Sequence, residues 1–230
     1  ILAVDGGTEL IERVETRPSF EFPKVLDYFK QFDILPGEKV EECSSKGWIQ
    51  ELPSDPACAV WSEWYLDKLF ITSVYGGNGE KALQHAKDTI GLLKSKPFNE
   101  VQLTSKKIWK ALWGKAASIK IPTDNGIENI YYMGIYRMLG NSMPGKIAPS
   151  LQGPWVEEYR MPPWSCDYHF NINVQECLWP SYGANLLECL DPLFSMIDNW
   201  KPRLALNAKH FVGIDDGYML NHSTDDRATP

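Results

Sequence analysis

Two hydrophobic periods divide this chain. From Ile1 to about Tyr75 the apolar positions come in short runs rich in β-branched and aromatic residues, as in ACAVWSEWYL (57–66) and KLFITSVY (68–75). The turn signals PSD and GGNG break these runs. That pattern predicts strands, and it places Trp61, Trp64, Phe70 and Tyr75 in a sheet core rather than at a ligand site. One helix, over Lys24–Gln31 (KVLDYFKQ), is expected to interrupt the strands. At Gly79 the period becomes helical: Ala82, Ala86, Ile90 and Leu93 recur with lysines opposite, which leaves His85 off the stripe and solvated. A second helical face, Ile108, Leu112 and Trp113, is expected within Leu103–Ile119. A turn at Pro122–Gly126 then leads into a third helix over about Ile127–Leu139. There Ile127, Ile130, Tyr131 and Met138, with Gly134 between, imply burial against another helix.

After a long tryptophan-rich loop, ANLLECLDPLFSMIDNW reads as a helix from Ala184, with Leu186, Leu187, Leu190, Phe194, Ile197 and Trp200 facing inward. Pro192 is expected to kink or break it, and Pro202 to end it. A short helix over roughly Arg203–Phe211 precedes the loop GIDDGYMLNHSTDDRATP. No internal repeat has a fixed period. The chain therefore reads as a β part followed by helical hairpins, and loops this long inside a compact domain usually carry a site.

Composition narrows the classes. The 230 residues are 43% hydrophobic, enough for one large or two modest domains. Net charge is −7 with Lys and Arg scattered, which argues against nucleic acid or an anionic membrane as a partner. No apolar run approaches the ~18 residues that span a bilayer, and no signal peptide is visible. The sequence opens on Ile1, as a processed or excerpted chain would. Its five cysteines lack CxxC spacing and are expected to be free, mostly buried thiols. With only four histidines and no CxxC pair, no metal site is expected.

Candidate chemistry concentrates between Pro149 and Pro180. In HFNINVQ, residues of one kind alternate, so in an extended segment Asn171, Asn173 and Gln175 would share one face. They would lie beside Asp167 and His169, flanked by Trp155, Trp164 and Trp179. Amides that both donate and accept, next to flat apolar rings, suit a ligand with many hydroxyls, and the first reading is a sugar site. Blander readings stand beside it: asparagines that cap turns or bridge backbone, and tryptophans that fill a core. Asp167 and His169 either bind sugar hydroxyls or hold the asparagine segment. Glu157 and Glu158 are neighbours and should diverge into solvent, although a carboxylate pair can do acid–base work when its environments differ. His222, Asp225 and Asp226 either touch substrate or belong to a frayed end. The sequon Asn221-His222-Ser223 is expected to carry no glycan.

The segment from about Trp109 to Asp226 resembles the catalytic domain of glycoside hydrolase family 95, the α-L-fucosidase and α-L-galactosidase group, or a close sister clade. The resemblance rests on a tyrosine-rich helix (Tyr131–Arg137), a Pro144-Gly145 turn and the Leu151–Trp155 loop. It continues through Pro163-Trp164, the N-x-N-x-Q run Asn171–Gln175, Trp179-Pro180 and GYMLNHSTDD. Glu176-Cys177-Leu178 depart from the family's usual M-N-Y before Trp-Pro, which bears on sugar specificity. Ile1–Tyr75 more weakly resembles the end of the β-sandwich that precedes the barrel in that family.

The resemblance implies a mainly α chain with a β N-terminal part. Residues 1–78 would end a β-sandwich, 79–120 would be a helical linker, and 121–230 the first part of an (α/α)6 barrel. It implies inverting hydrolysis of an α-L-fucosyl, α-L-galactosyl or related bond, without cofactor or metal. Asn171 and Asn173 match the pair that positions the attacking water. Gln152, Trp155, Trp164, Asp167, His169, Gln175, Trp179 and His222 would line the pocket. The general acid Glu and the Asp that polarises the asparagines match no residue here and are expected outside this segment. The partners implied are an oligosaccharide or glycoside substrate, and the remainder of the same polypeptide or another chain to complete the barrel. A secreted or periplasmic location is preferred to a cytoplasmic one. The rivals are a non-catalytic carbohydrate-binding protein on a degenerate barrel, and a glycoside phosphorylase or polysaccharide lyase. The last two would need a basic cluster, where the central loop offers only Arg160 and, upstream, Lys146.

Overall fold

A computed structural model describes residues 2–5, 16–153 and 162–229, and the chain divides into two compact units with the boundary at Lys106–Lys107. The first unit holds an antiparallel sheet of β1 (Leu2–Asp5), β2 (Glu38–Glu42), β3 (Ser45–Gln50), β4 (Cys58–Tyr65) and β5 (Lys68–Tyr75), in spatial order β1-β5-β4-β3-β2. Strands β2 to β5 form a meander whose register pairs Val40 with Gly47, Trp48 with Val60 and Trp61 with Thr72. Gly47 is required there, because a side chain would strike the Val60 carbonyl and the Trp61 ring. Helix α1 (Pro23–Gln31) forms where expected, with Pro23 in its first turn.

Helix α2 (Gly79–Lys94) is capped by Asn78, whose side chain accepts the Lys81 N–H at 3.0 Å. Its Ala82, Leu83, Ala86 and Ile90 pack on Ala59, Trp61 and Phe70 to form the core of this unit, while His85 is exposed as expected. Trp61 and Phe70 are buried, but Trp64 and Tyr75 are 39% and 52% exposed. Trp64 is three positions on from Trp61 and Tyr75 five on from Phe70, odd offsets that carry each to the other side of the pleat.

Helix α3 (Phe98–Lys115) runs across the boundary. In the second unit it contributes Trp109, Leu112 and Trp113 to a core with Ile135, Met138, Leu139, Leu186 and Cys189, whereas Ile108 is 56% exposed. Helix α4 (Asn125–Asn141) starts at Asp124, whose carboxylate accepts the N–H groups of Gly126 and Ile127 at 2.8 and 3.2 Å. Its buried row is Ile135, Met138 and Leu139 with Tyr131 packed alongside, and not Ile127 and Ile130, which stand 54% and 65% exposed. Ile127 lies a turn beyond the packed stretch, and Ile130 belongs to the row of Gly134 and Arg137 that opens onto a groove.

Helices α5 (Asn173–Leu178), α6 (Pro180–Gly183) and α7 (Asp191–Asn207) follow, with a π turn over Ala208–Val212. The second core of this unit gathers Tyr168, Val174, Leu178, Leu190, Trp200 and Leu204. Pro192 does not kink α7; it sits in the first turn, where a missing N–H costs nothing. Nor does Pro202 end it. The helix continues because Leu204 is buried and Asn207 donates to the Ala228 carbonyl at 3.1 Å, so the expected Arg203–Phe211 helix is largely its continuation. Leu187 and Phe194 are 54% and 53% exposed rather than inward. A 3-10 turn over Leu187–Leu190 precedes α7 and shifts the phase that a single helix from Ala184 would have kept.

All five cysteines are free, but only Cys189 is buried, which pushes its thiol up to about 11. Cys43, in the turn between β2 and β3, and Cys177, on α5, are exposed. Among the described residues no helix is long and apolar enough to cross a membrane.

Candidate functional site

A two-residue bridge organises the candidate site. Strands β6 (Tyr168–His169) and β7 (Ser223–Thr224) pair antiparallel, with Tyr168 opposite Thr224 and His169 opposite Ser223. The Phe170 N–H extends the pairing by donating to the His222 carbonyl at 2.7 Å. Tyr168 and Phe170 turn inward and meet Trp200 edge-to-face, at centroid separations of 5.9 and 6.0 Å. The Tyr168 hydroxyl donates to the Ala148 carbonyl at 2.7 Å, and burial, with Asp226 and Cys166 nearby, pushes its pKa up to about 12. Strand alternation then carries Asp167 and His169 to the opposite face, and the exposed Asn171 follows in the turn after β6.

On that face Asp167 is held through one oxygen: its Oδ2 accepts the Ser223 hydroxyl at 3.0 Å. Its buried Oδ1 lies 2.7 Å from His169 Nε2 but has no hydrogen-bond partner among the described residues. The His169 ring is 5.4 Å from Trp164 and 5.9 Å from His222, centroid to centroid. Trp164 is 68% exposed and offers a broad ring to solvent. It begins a left-handed turn: Trp164, Ser165 and Cys166 have φ of 50°, 54° and 57°. Each such residue costs about 1–2 kcal/mol, and strain of this kind clusters at functional sites. The turn is held by the Ser165 N–H on the Pro162 carbonyl and by Cys166 Sγ, 3.0 Å from Ser150 Oγ and 3.4 Å from the Gln152 N–H.

The strand ends at His169. The chain turns into α5 at Asn173, because Val174 and Leu178, four apart, are drawn together into the core. Asn171, Asn173 and Gln175 therefore do not form one row on a strand. Gln175 Nε2 closes the turn by donating to the Phe170 carbonyl at 2.8 Å, so this amide serves the backbone. Asn171 is exposed and Asn173 half-buried, and neither side-chain amide is hydrogen-bonded to another described residue. Trp179 follows α5 and is 54% exposed. Gln152, whose N–H meets Cys166 Sγ, lines an open groove of about 450 Å3 whose walls include Ile130, Arg137, Met138 and Leu178.

The bridge thus brings together Trp164, Asp167, His169 and His222, with Asn171 in the turn that follows β6. Trp155, Glu157, Glu158 and Arg160 lie outside the described residues. Asp225 is committed to structure: its Oδ1 accepts the N–H groups of Arg227 and Thr229 at 2.9 and 2.8 Å. The Asp226 carbonyl accepts from Trp200 Nε1 at 2.9 Å. Asn221 of the sequon is 9% exposed. What Ser223 and Cys166 hold is revealed only by the strand pairing and the turn. Among the described residues no cluster of three His, Cys, Asp or Glu side chains could hold a metal.

Residues 90–228, more than half of the chain, match the glycosyl hydrolase family 95 catalytic domain. The chain is 38% identical over 107 residues to the probable alpha-fucosidase A of Aspergillus niger, covering 46% of this chain and 13% of that protein. It is 33% identical over 91 residues to the alpha-L-fucosidase 2 of Arabidopsis thaliana, covering 40% of this chain and 10% of that one. With the probable alpha-fucosidase A of Aspergillus oryzae it shares 24% identity over 204 residues, 87% of this chain and 26% of the relative. The chain thus spans between a tenth and about a quarter of the length of these relatives.

Proposed function

The chain belongs to glycosyl hydrolase family 95, and from that premise we propose that it carries the water-positioning side of a glycosidase site. The substrate class is an α-L-fucosyl, α-L-galactosyl or related glycoside, and the bond is hydrolysed with inversion. One observation carries the reading: within the family-matched segment, Asp167 and His169 lie beside the exposed Trp164 ring, and Asn171, exposed in the turn that follows β6, has no side-chain hydrogen bond among the described residues. An apolar ring face beside donors and acceptors is what a deoxy sugar needs.

In this reading the carbonyl oxygens of Asn171 and Asn173 hold the attacking water on one side of the ring, while His169, Trp164 and His222 contact the sugar. Inversion further requires a general acid on the leaving-group side and a carboxylate that polarises the asparagines. Neither role is assigned to a residue of this sequence. The exposed Ile127 and Ile130 on α4 and Phe194 on α7 support an (α/α)6 arrangement in which other helices, from the same polypeptide or another, cover them. No step calls for a metal or cofactor.

The test is nitrophenyl α-L-fucoside turnover by the full polypeptide with Asn171→Ala, Asn173→Ala and both. Each single change should lower kcat by about 100-fold or more while KM moves little. Turnover at the wild-type level would remove the asparagines from the mechanism. NMR of the first-formed anomer distinguishes inversion from retention.

A further inference from the structure

Among the described residues, five buried side-chain polar atoms lack a hydrogen-bond partner. Four are oxygens, on Gln50, Gln152, Asp167 and Gln175, and the fifth is a donor, Asn221 Nδ2. The distinction matters. An oxygen has a second lone pair and is more readily left under-satisfied, whereas a buried N–H with no partner is rare in folded proteins. Asn221 is only 9% exposed, so bulk water does not supply the missing acceptor. Its place in the chain gives the donor a setting. The Phe170 N–H meets the His222 carbonyl at 2.7 Å and extends the pairing of β6 with β7. Asn171 follows that bond on one side and Asn221 precedes it on the other, the first exposed and the second buried. The next residue, His222, has its ring 5.9 Å from that of His169, and the one after it, Ser223, donates to Asp167.

We propose that Asn221 is a further substrate-binding residue of the glycosidase site, and that its Nδ2 donates to an oxygen of the bound sugar. The proposal deepens the sugar-site reading above and rests on it for the identity of the ligand. Without sugar the folded chain holds a donor whose hydrogen bond is unmade, and the ligand completes it. A hydroxyl or a ring oxygen serves, since both accept; a methyl group at that point does not. Asn221 also heads the sequon with Ser223. A glycan would attach to the same amide nitrogen, and the burial of that atom keeps it available to substrate instead.

The experiment compares Asn221→Ala and the similarly sized Asn221→Leu with the wild type in the full polypeptide. Thermal unfolding is followed with and without L-fucose or L-galactose, and kinetics are measured on nitrophenyl α-L-fucoside. Without sugar, the Tm of Asn221→Leu should match or exceed that of the wild type, because an apolar group replaces an unpaired amide and no internal bond is lost. The rise in Tm on adding sugar should vanish in both variants. In both, kcat/KM should fall about 10–100-fold, mostly through KM. A sugar-free Tm that drops in both variants means that the amide is already paired within the polypeptide, and overturns the proposal. Folded variants that respond to sugar as the wild type does also overturn it, and leave the sugar site standing. A wild type that neither responds to sugar nor turns over the fucoside sinks the sugar reading, and Asn221 with it. A glycan found on Asn221 of active protein excludes the contact by itself.

Discussion

Two antiparallel pairs in this chain are held in opposite ways. β4 and β5 run eight residues each and are stabilised by their own ladder, with Trp61 and Phe70 adding a core under α2. β6 and β7 have two residues each, too few to persist alone. They are held by side chains around them: Tyr168 and Phe170 against Trp200, Ser223 on Asp167, and Asp225 closing the turn behind. A long ladder tolerates the loss of a side chain. A short bridge is the sum of its side chains, and the residues proposed to meet a ligand sit on the short one.

The sharpest way to break this contrast is to remove one tryptophan from each pair. Trp61→Ala and Trp200→Ala should both destabilise by about 3–5 kcal/mol in urea titrations. Only Trp200→Ala should also abolish the NMR signals of His169 and His222 as an ordered pair, since it removes both the ring contacts and the bond to Asp226. If Trp61→Ala disturbs those histidines as strongly, the two pairs are not independent. Tyr168→Phe comes next. It leaves the Ala148 carbonyl without its buried donor and should cost about 1–3 kcal/mol by thermal unfolding.

Ser165→Gly works in the other direction. With φ at 54°, this position pays for a Cβ it does not use, so glycine should stabilise by up to about 1 kcal/mol while letting Trp164 wander and weakening any sugar affinity. The smallest effect is electrostatic. A hydrogen bond from Lys115 holds the Glu188 carboxyl below the usual carboxylate range. Its contribution is therefore complete above the unfolded pKa, about 4.3, and is lost as pH falls through the lower folded value. Lys115→Met should flatten that part of the stability–pH curve by less than about 0.5 kcal/mol, because the pair is largely solvated.

What could be read from the residues follows the same division. The alternation in KLFITSVY and the four-residue spacing of Ala82, Ala86 and Ile90 are local signals, and the sheet and α2 appear where these put them. In the second unit the period also located α4, but not which of its rows is buried, because that depends on partners distant in sequence. The NINVQ run misleads for the same reason: the strand stops at His169, and burial of Val174 and Leu178 draws the residues from Asn173 onward into helix. Gln175 looked like a ligand amide and closes a turn. Asp225, read as a substrate contact or part of a frayed end, caps its own loop. What Ser223 holds shows only once its strand is paired with His169.

The loop after α7 is stitched to that helix at three points: the Met219 N–H on the Leu204 carbonyl, Trp200 Nε1 on the Asp226 carbonyl, and Asn207 Nδ2 on the Ala228 carbonyl. Stitches at both ends of the loop mean that β7 cannot peel away while α7 stays intact. Amide protons of Phe170 and Met219, far apart along the chain, should therefore exchange with deuterium at matched rates, as members of one cooperative opening unit. The face that bears His169 is thus no softer than the core beneath it, and a ligand arriving there would find it already built.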